Sequence, residues 1–187
     1  MNTGMRKKIV LVIFVVLGLQ NIFAQSRLSA ELDLGYMIGF AENGSSYKIT
    51  RSSYKMCTNS IRFSGVYHFT NTLSTGIGAG SERYETPGYN TLPIFALFRY
   101  APLPFFPKGY VYTDLGYSIK VSSAYTSGLL YDLGIGYQWM LHKHFGLKAQ
   151  IGYNLKQFKT DYQSSELSGE KVTQWRHSLV LSTGLVF

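Results

Sequence analysis

The chain has 187 residues, a formal charge of +8, 45 % hydrophobic and 16 % aromatic content, fifteen tyrosines, nineteen glycines and one cysteine, Cys57. A single cysteine excludes an intramolecular disulfide, and beyond the first two dozen residues no apolar run is long enough for a transmembrane helix. Exported, mildly basic chains meet lipid phosphates rather than nucleic acid, so no nucleic-acid partner is expected.

The export signal comes first in chain order. Arg6, Lys7 and Lys8 precede an apolar run over 9–19, and Ala24 offers a small residue for cleavage before Gln25. That arrangement predicts a signal peptide over 1–24, too short and wrongly flanked for a spanning helix. Its removal leaves a charge of +5 on residues 25–187.

Eight segments then alternate with period two, which is how a strand reads when its two faces meet different surroundings. The first, 28–38, sends Leu28, Leu32, Leu34, Tyr36 and Ile38 to one face and Ser29, Glu31, Asp33 and Gly35 to the other. The second, 59–69, opposes Ile61, Phe63, Tyr67 and Phe69 to Arg62, Ser64 and His68. The third, 73–84, opposes Leu73, Thr75, Ile77 and Ala79 to Ser74, Gly76, Gly78, Gly80 and Glu82. In the fourth, 91–100, Phe95 and Leu97 make both faces apolar, and the parity of Arg99 decides which is inner. Pro93 cannot donate to a ladder, which places it near a strand end or bulge.

The fifth, 110–119, turns Asp114 inward; the sixth, 129–139, turns Asp132 inward with Gly134, Gly136 and Gln138. The seventh, 145–155, alternates Phe145, Leu147, Ala149, Ile151, Tyr153 and Leu155 against Gly146, Lys148, Gln150, Gly152 and Asn154. The last, 174–187, carries Arg176 inward and Trp175 and Phe187 at its two ends. One apolar face, one polar or small face and aromatic ends fit a strand between lipid and a polar barrel interior. Tyr36, Phe69, Tyr100, Tyr131, Trp139, Phe145, Tyr153, Trp175 and Phe187 are the expected interface aromatics.

Connections alternate in length. Those around 70–72 and 140–143 are tight, and 101–109 is stiffened by Pro102, Pro104 and Pro107. Those over 41–58, 85–90, 120–128 and 156–173 are polar and mostly longer. Short periplasmic turns and longer external loops follow this parity, with both termini in the periplasm. Cys57 falls in the first long loop and is read as an ordinary loop residue.

These features, with the repeated stretches 114–117 (Asp-Leu-Gly-Tyr), 132–137 (Asp-Leu-Gly-Ile-Gly-Tyr) and 150–153 (Gln-Ile-Gly-Tyr), resemble the small eight-stranded outer-membrane barrels of the OmpA/OmpX type. The expected fold is all-β, an eight-stranded antiparallel up-and-down transmembrane β-barrel over 25–187. The resemblance implies a location in the outer membrane of a Gram-negative envelope and no peptidoglycan-binding domain. It also implies that the terminal Leu185-Val-Phe187 is an assembly signal for the barrel-insertion machinery, although Ser182 stands where a glycine is frequent.

Parity gathers Glu31, Asp33, Glu82, Asp114 and Asp132 in the lumen with Arg62, Arg99, Lys148 and Arg176. Eight strands enclose only enough room for side chains, so a paired network plugging the lumen is expected, and a narrow ion-conducting pore is the alternative. No catalytic, cofactor or metal residue is assigned. His177 and Ser178 are neighbours and face apart, His68 has no companion serine in the local sequence, and His142 with His144 lack a third ligand. A lipid-modifying enzyme of the lipid A deacylase kind is the competing function. Arg83 is placed outward near the outer leaflet. Lys48, Arg51 and Lys55 with Tyr47 and Tyr54 make the loop over 41–58 basic and aromatic, and loop 156–173 mixes both signs. Expected partners are outer-membrane lipids, lipopolysaccharide and an unidentified ligand at these two loops. The expected state is a monomeric, non-enzymatic barrel that supports the envelope or presents loops for adhesion.

Overall fold

The computed structural model describes residues 27–44, 48–51, 55–86, 88–102, 108–122, 125–142, 145–161 and 171–187. The segment expected to be a signal peptide therefore lies outside the described residues, as does His144. Among the described residues nine strands follow in order: β1 (Leu28–Asn43), β2 (Lys48–Thr50), β3 (Cys57–His68), β4 (Leu73–Tyr84), β5 (Asn90–Tyr100), β6 (Gly109–Ile119), β7 (Gly128–His142), β8 (Phe145–Asp161) and β9 (Lys171–Val186). Each long strand pairs antiparallel with its sequence neighbour, and β1 also pairs with β9, closing an eight-stranded barrel. The short β2 folds back on the end of β1 through Ala41↔Thr50 and Asn43↔Lys48.

Closure requires stagger. From Ala30, paired residues lead round the wall through Gly65, Ile77, Ala96, Leu115, Tyr131, Leu155 and His177. The path returns to β1 at Ala41, eleven residues above its start, one of them at the bulge between Gly39 and Ala41. At the seam, Phe187 and Ala30 exchange backbone hydrogen bonds of 2.8 and 3.0 Å.

The alternation read from the sequence sorts the two faces. Large apolar side chains stand exposed all round the outer wall, with Ile77 73 % and Leu115 59 % accessible. A belt of this kind is suited to hydrocarbon rather than to water. Inside, the apolar residues Val66, Phe95, Leu97 and Leu130 form one buried cluster. The double apolar pattern of β5 thus has a cause: Phe95 and Leu97 face inward. The ladder between β4 and β5 omits the pairs opposite Gly80 and Ser81, beside Pro93, which has no N–H to give.

Two glycines show how the interior makes room. Gly134 and Gly152 face each other on β7 and β8. A Cβ on Gly134 would stand 2.8 Å from Tyr112 Cε1, and one on Gly152 would stand 2.5 Å from the Tyr112 hydroxyl. The missing side chains form the slot in which the Tyr112 ring lies.

Several expected boundaries require correction. β1 continues to Asn43, while β8 and β9 extend to Asp161 and from Lys171, so the ends of loops 41–58 and 156–173 are strand. The hairpin continues in register through Asp161↔Lys171. Cys57 opens β3 and is buried, rather than lying in an exposed loop.

Candidate functional site: the charged lumen

Inward parity on eight tilted strands brings charges from distant parts of the chain to a few levels of one narrow tube. At the level nearest the termini, Arg99 grips Glu31 with both guanidinium nitrogens, Nη2 to Oε2 at 2.6 Å. Lys148 also bonds Glu31 and lies 2.8 Å from Asp33 Oδ2. The Arg99 guanidinium rests over the Tyr110 ring, 5.1 Å from its centroid.

The middle level centres on Arg62. Its Nη2 is 2.7 Å from Glu82 Oε1, and its Nη1 is 2.5 Å from Asp132 Oδ2 and 3.5 Å from Asp114 Oδ2. The second oxygen of Glu82 accepts from Lys156 Nζ at 2.9 Å, Thr91 Oγ1 at 2.7 Å and the Tyr84 hydroxyl at 3.0 Å. Lys156 also donates to Ser118 Oγ, and Asn154 donates to Asp132 Oδ1.

The upper level is Arg176. Its Nε donates to Glu42 Oε2 at 2.7 Å and its Nη2 to the Thr86 carbonyl at 2.7 Å. The guanidinium rests against a T-shaped pair of rings whose centroids are 4.8 Å apart, 5.4 Å from the Tyr84 centroid and 5.3 Å from that of Phe158.

All nine lumen residues expected from parity lie in these three levels. Sequence reading missed Glu42 and Lys156, both placed in loops, and the aromatic partners Tyr84 and Phe158. Among the described residues, six lumen carboxylates meet five cations, and the surplus negative charge sits where Glu82, Asp114 and Asp132 share Arg62 and Lys156. Between the lower and middle levels a void of about 20 Å³ remains, touched by Asp33, Arg62, Arg99 and Asp114. That is room for about one water molecule. Charges so enclosed cost several kcal/mol each when unpaired, and the pairing at every level offsets that cost.

The other expected residues distribute as follows. On the outer wall Tyr36, Phe69, Tyr100 and Trp139 are exposed, and Tyr131, Phe145, Tyr153, Trp175 and Phe187 are half-buried. Three ring pairs cluster near the turns: Phe145–Phe187 at 5.9 Å, Tyr67–Phe69 at 4.9 Å and Tyr137–Trp139 at 4.4 Å. His177 faces out and bonds Tyr153 through its Nδ1 at 2.5 Å, while Ser178 is buried inside. His142 is exposed, its Nδ1 2.6 Å from the Leu141 carbonyl, and no group of three metal-binding side chains occurs among the described residues. Arg83 donates to Asn90 Oδ1 at 2.9 Å and to the Gly88 carbonyl at 3.3 Å. One pairing was not legible locally: Ser29 Oγ and His68 Nε2 share a hydrogen bond of 3.0 Å just inside the lower mouth.

No protein-family model and no curated protein matches the chain. Among solved structures it is similar to Neisserial surface protein A, at 16 % identity and a TM-score of 0.51, over 86 % of this chain and 96 % of that one. It is also similar to the outer membrane protein AlkL, whose structure was determined in DMPC lipid bilayers, at 11 % identity and a TM-score of 0.51, over 86 % and 89 % of the two chains. At such identities the likeness is one of fold. The chain therefore has the closed eight-stranded antiparallel architecture that small outer-membrane barrels share.

Proposed function

We propose that the chain is an outer-membrane protein of the OmpA/OmpX type, a non-enzymatic monomer whose plugged barrel anchors external loops in the bilayer. The carrying observation is the stack of ion pairs that occupies the lumen at three levels, the middle one linking strands on opposite sides of the tube. Such a stack rigidifies the barrel and supports the reading of a plugged lumen. The apolar belt supports membrane insertion, and the alternation of short and long connections supports periplasmic termini. Envelope support and surface binding through the segments around 41–58 and 156–173 follow from that placement, since rigid scaffolds commonly carry binding residues on loops. Lipopolysaccharide and the barrel-insertion machinery acting on the terminal strand are its proposed envelope partners. Purified protein in planar bilayers is expected to give no steady conductance; a persistent ion-selective current would replace this reading with that of a narrow pore.

A second reading, a lipid-modifying hydrolase, draws on the Ser29–His68 contact. A nucleophile and a base at 3.0 Å have the geometry of acyl transfer. Yet Glu31, the neighbouring carboxylate, is taken up by Arg99 and Lys148 and is not free to orient His68. Lipid A acyl-chain analysis with the wild-type chain and Ser29→Ala separates the two: turnover lost in the variant would establish the enzyme.

A further inference from the structure

We infer that the barrel holds one glycerophospholipid at the rim nearest the termini, its phosphate in a polar vestibule of the lumen mouth and one acyl chain in a trough on the outer wall. The inference rests on the membrane-barrel reading above and adds a ligand site to it.

The trough follows a row of paired residues across five strands. Leu34, Thr183, Ala149, Tyr137 and Gly109 are successive partners on β1, β9, β8, β7 and β6. Three of the five, Thr183, Ala149 and Gly109, are short. The next outward row, Tyr36, Leu181, Ile151, Ile135 and Val111, is long throughout and forms the upper wall. The result is an open apolar concavity of about 900 Å³. Four strand spacings of ~4.8 Å make it about 19 Å long. One leaflet of a bilayer, half of a ~30 Å hydrocarbon core, needs a chain of about 15 Å. The trough thus matches a single acyl chain in length.

Its lower end is where the chemistry changes. Gly109 and Tyr110 line both the trough and a second cavity of about 200 Å³ inside the mouth. That vestibule presents Lys108, Arg99, His68 and Gln138, and no carboxylate lines it among the described residues. Arg99, 6 % exposed, is held by Glu31, whereas Lys108 is exposed at the opening. An exposed lysine with the His68 and Gln138 side chains beside it is complementary to an anion with several oxygens, and a phosphate supplies them. A second copy of the chain would cover the trough without bringing an anion to the vestibule. A phospholipid does both at once.

The test uses native mass spectrometry of the full mature chain in mild detergent, with dimyristoylphosphatidylglycerol or dimyristoylglycerol added. One phosphatidylglycerol is expected to stay bound, with dimyristoylglycerol retained about fivefold less or worse, a difference of about 1 kcal/mol. Lys108→Glu removes the exposed cation and Ala149→Leu fills the trough, and each is expected to lower occupancy by a similar factor. Ala79→Leu, on the opposite wall, is expected to leave it unchanged. Equal retention of the two lipids, insensitivity to both site variants, or dimers abolished by Ala149→Leu would overturn the site. Insertion into lipid vesicles and heat-modifiable gel migration are followed for every variant. A chain that inserts but keeps no phospholipid sinks the site alone, whereas a chain that never inserts sinks the membrane reading with it.

Discussion

Lys156 on β8 holds Glu82 on β4 across the full width of the lumen, Nζ to Oε2 at 2.9 Å, with both side chains fully buried. In the ring of eight strands β4 and β8 stand diametrically opposite, so this single bond acts as a crossbar. Removing one end leaves a carboxylate whose remaining cation, Arg62, is already shared with Asp114 and Asp132. Lys156→Met is therefore expected to lower the stability of the inserted barrel by about 3 kcal/mol, in the range for breaking a buried pair. Adding Glu82→Gln should restore part of the loss, because the orphaned charge goes with it. Urea unfolding in vesicles, read by gel migration, measures both; equal stability of the single variant and the wild type would deny the crossbar.

Arg62 is the other support of the middle level, and its loss has a different consequence. Three carboxylates then face Lys156 alone, and a net negative constriction attracts water and cations. Arg62→Ala is expected to give small, cation-selective currents in planar bilayers, above any seen with the wild type. It should also lower stability by about 3–5 kcal/mol. A destabilised barrel that still conducts nothing would show that packing, rather than charge pairing, seals the tube.

The wall was legible because its signal is periodic; the plug was only partly so. Alternation alone assigns Glu31, Arg62, Asp132 and Arg176 to the lumen, since period two needs no knowledge of neighbours. Lys156 escaped by one step: it continues the inward series of Lys148, Gln150, Gly152 and Asn154, but its charge and its place beyond Leu155 resemble the start of a loop. Glu42 could not be reached that way. The bulge between Gly39 and Ala41 shifts the register of β1, so strict alternation sends Glu42 to the wrong face. The Ser29–His68 contact depends on the β1–β3 register, which pairs residues 39 positions apart and is invisible to local pattern.

Gly152 tests how closely the inner wall is fitted. Its absent Cβ leaves space for the Tyr112 hydroxyl, and Gly134 Cα lies 3.1 Å from where that Cβ would be. A valine there must displace the ring or spread β7 from β8. Gly152→Val is expected to cost about 1–3 kcal/mol, the range for overpacking a filled interior. Gly65→Val, on the outer wall where nothing lies within 4 Å, should be close to neutral. Equal effects of the two substitutions, compared by the same vesicle unfolding, would mean that the tyrosine slot is not a constraint.

Arg176 links the barrel to the extension of β8 and β9 beyond its upper level, and here stability and order separate. Its partners are Glu42 at the end of β1, the Thr86 carbonyl just beyond β4, and the rings of Tyr84 and Phe158. All of them lie at or above the upper end of the lumen, so few of the lower ion pairs depend on it. Arg176→Ala takes from Glu42 the guanidinium that holds it and uncovers one side of the Tyr84–Phe158 ring pair, whose centroids each lie more than 5 Å from the guanidinium carbon. The paired extension from Lys156↔Arg176 to Asp161↔Lys171 then loses its anchor to β1 and β4. Faster amide exchange is expected over 156–161 and 171–176, by about tenfold or more for a loss of about 1.4 kcal/mol. Exchange in the strands around Glu31 and Arg99 should be unchanged. Uniform acceleration through the whole barrel would instead make Arg176 part of a single cooperative core, and unchanged exchange everywhere would mean that the aromatic rings hold the extension without it.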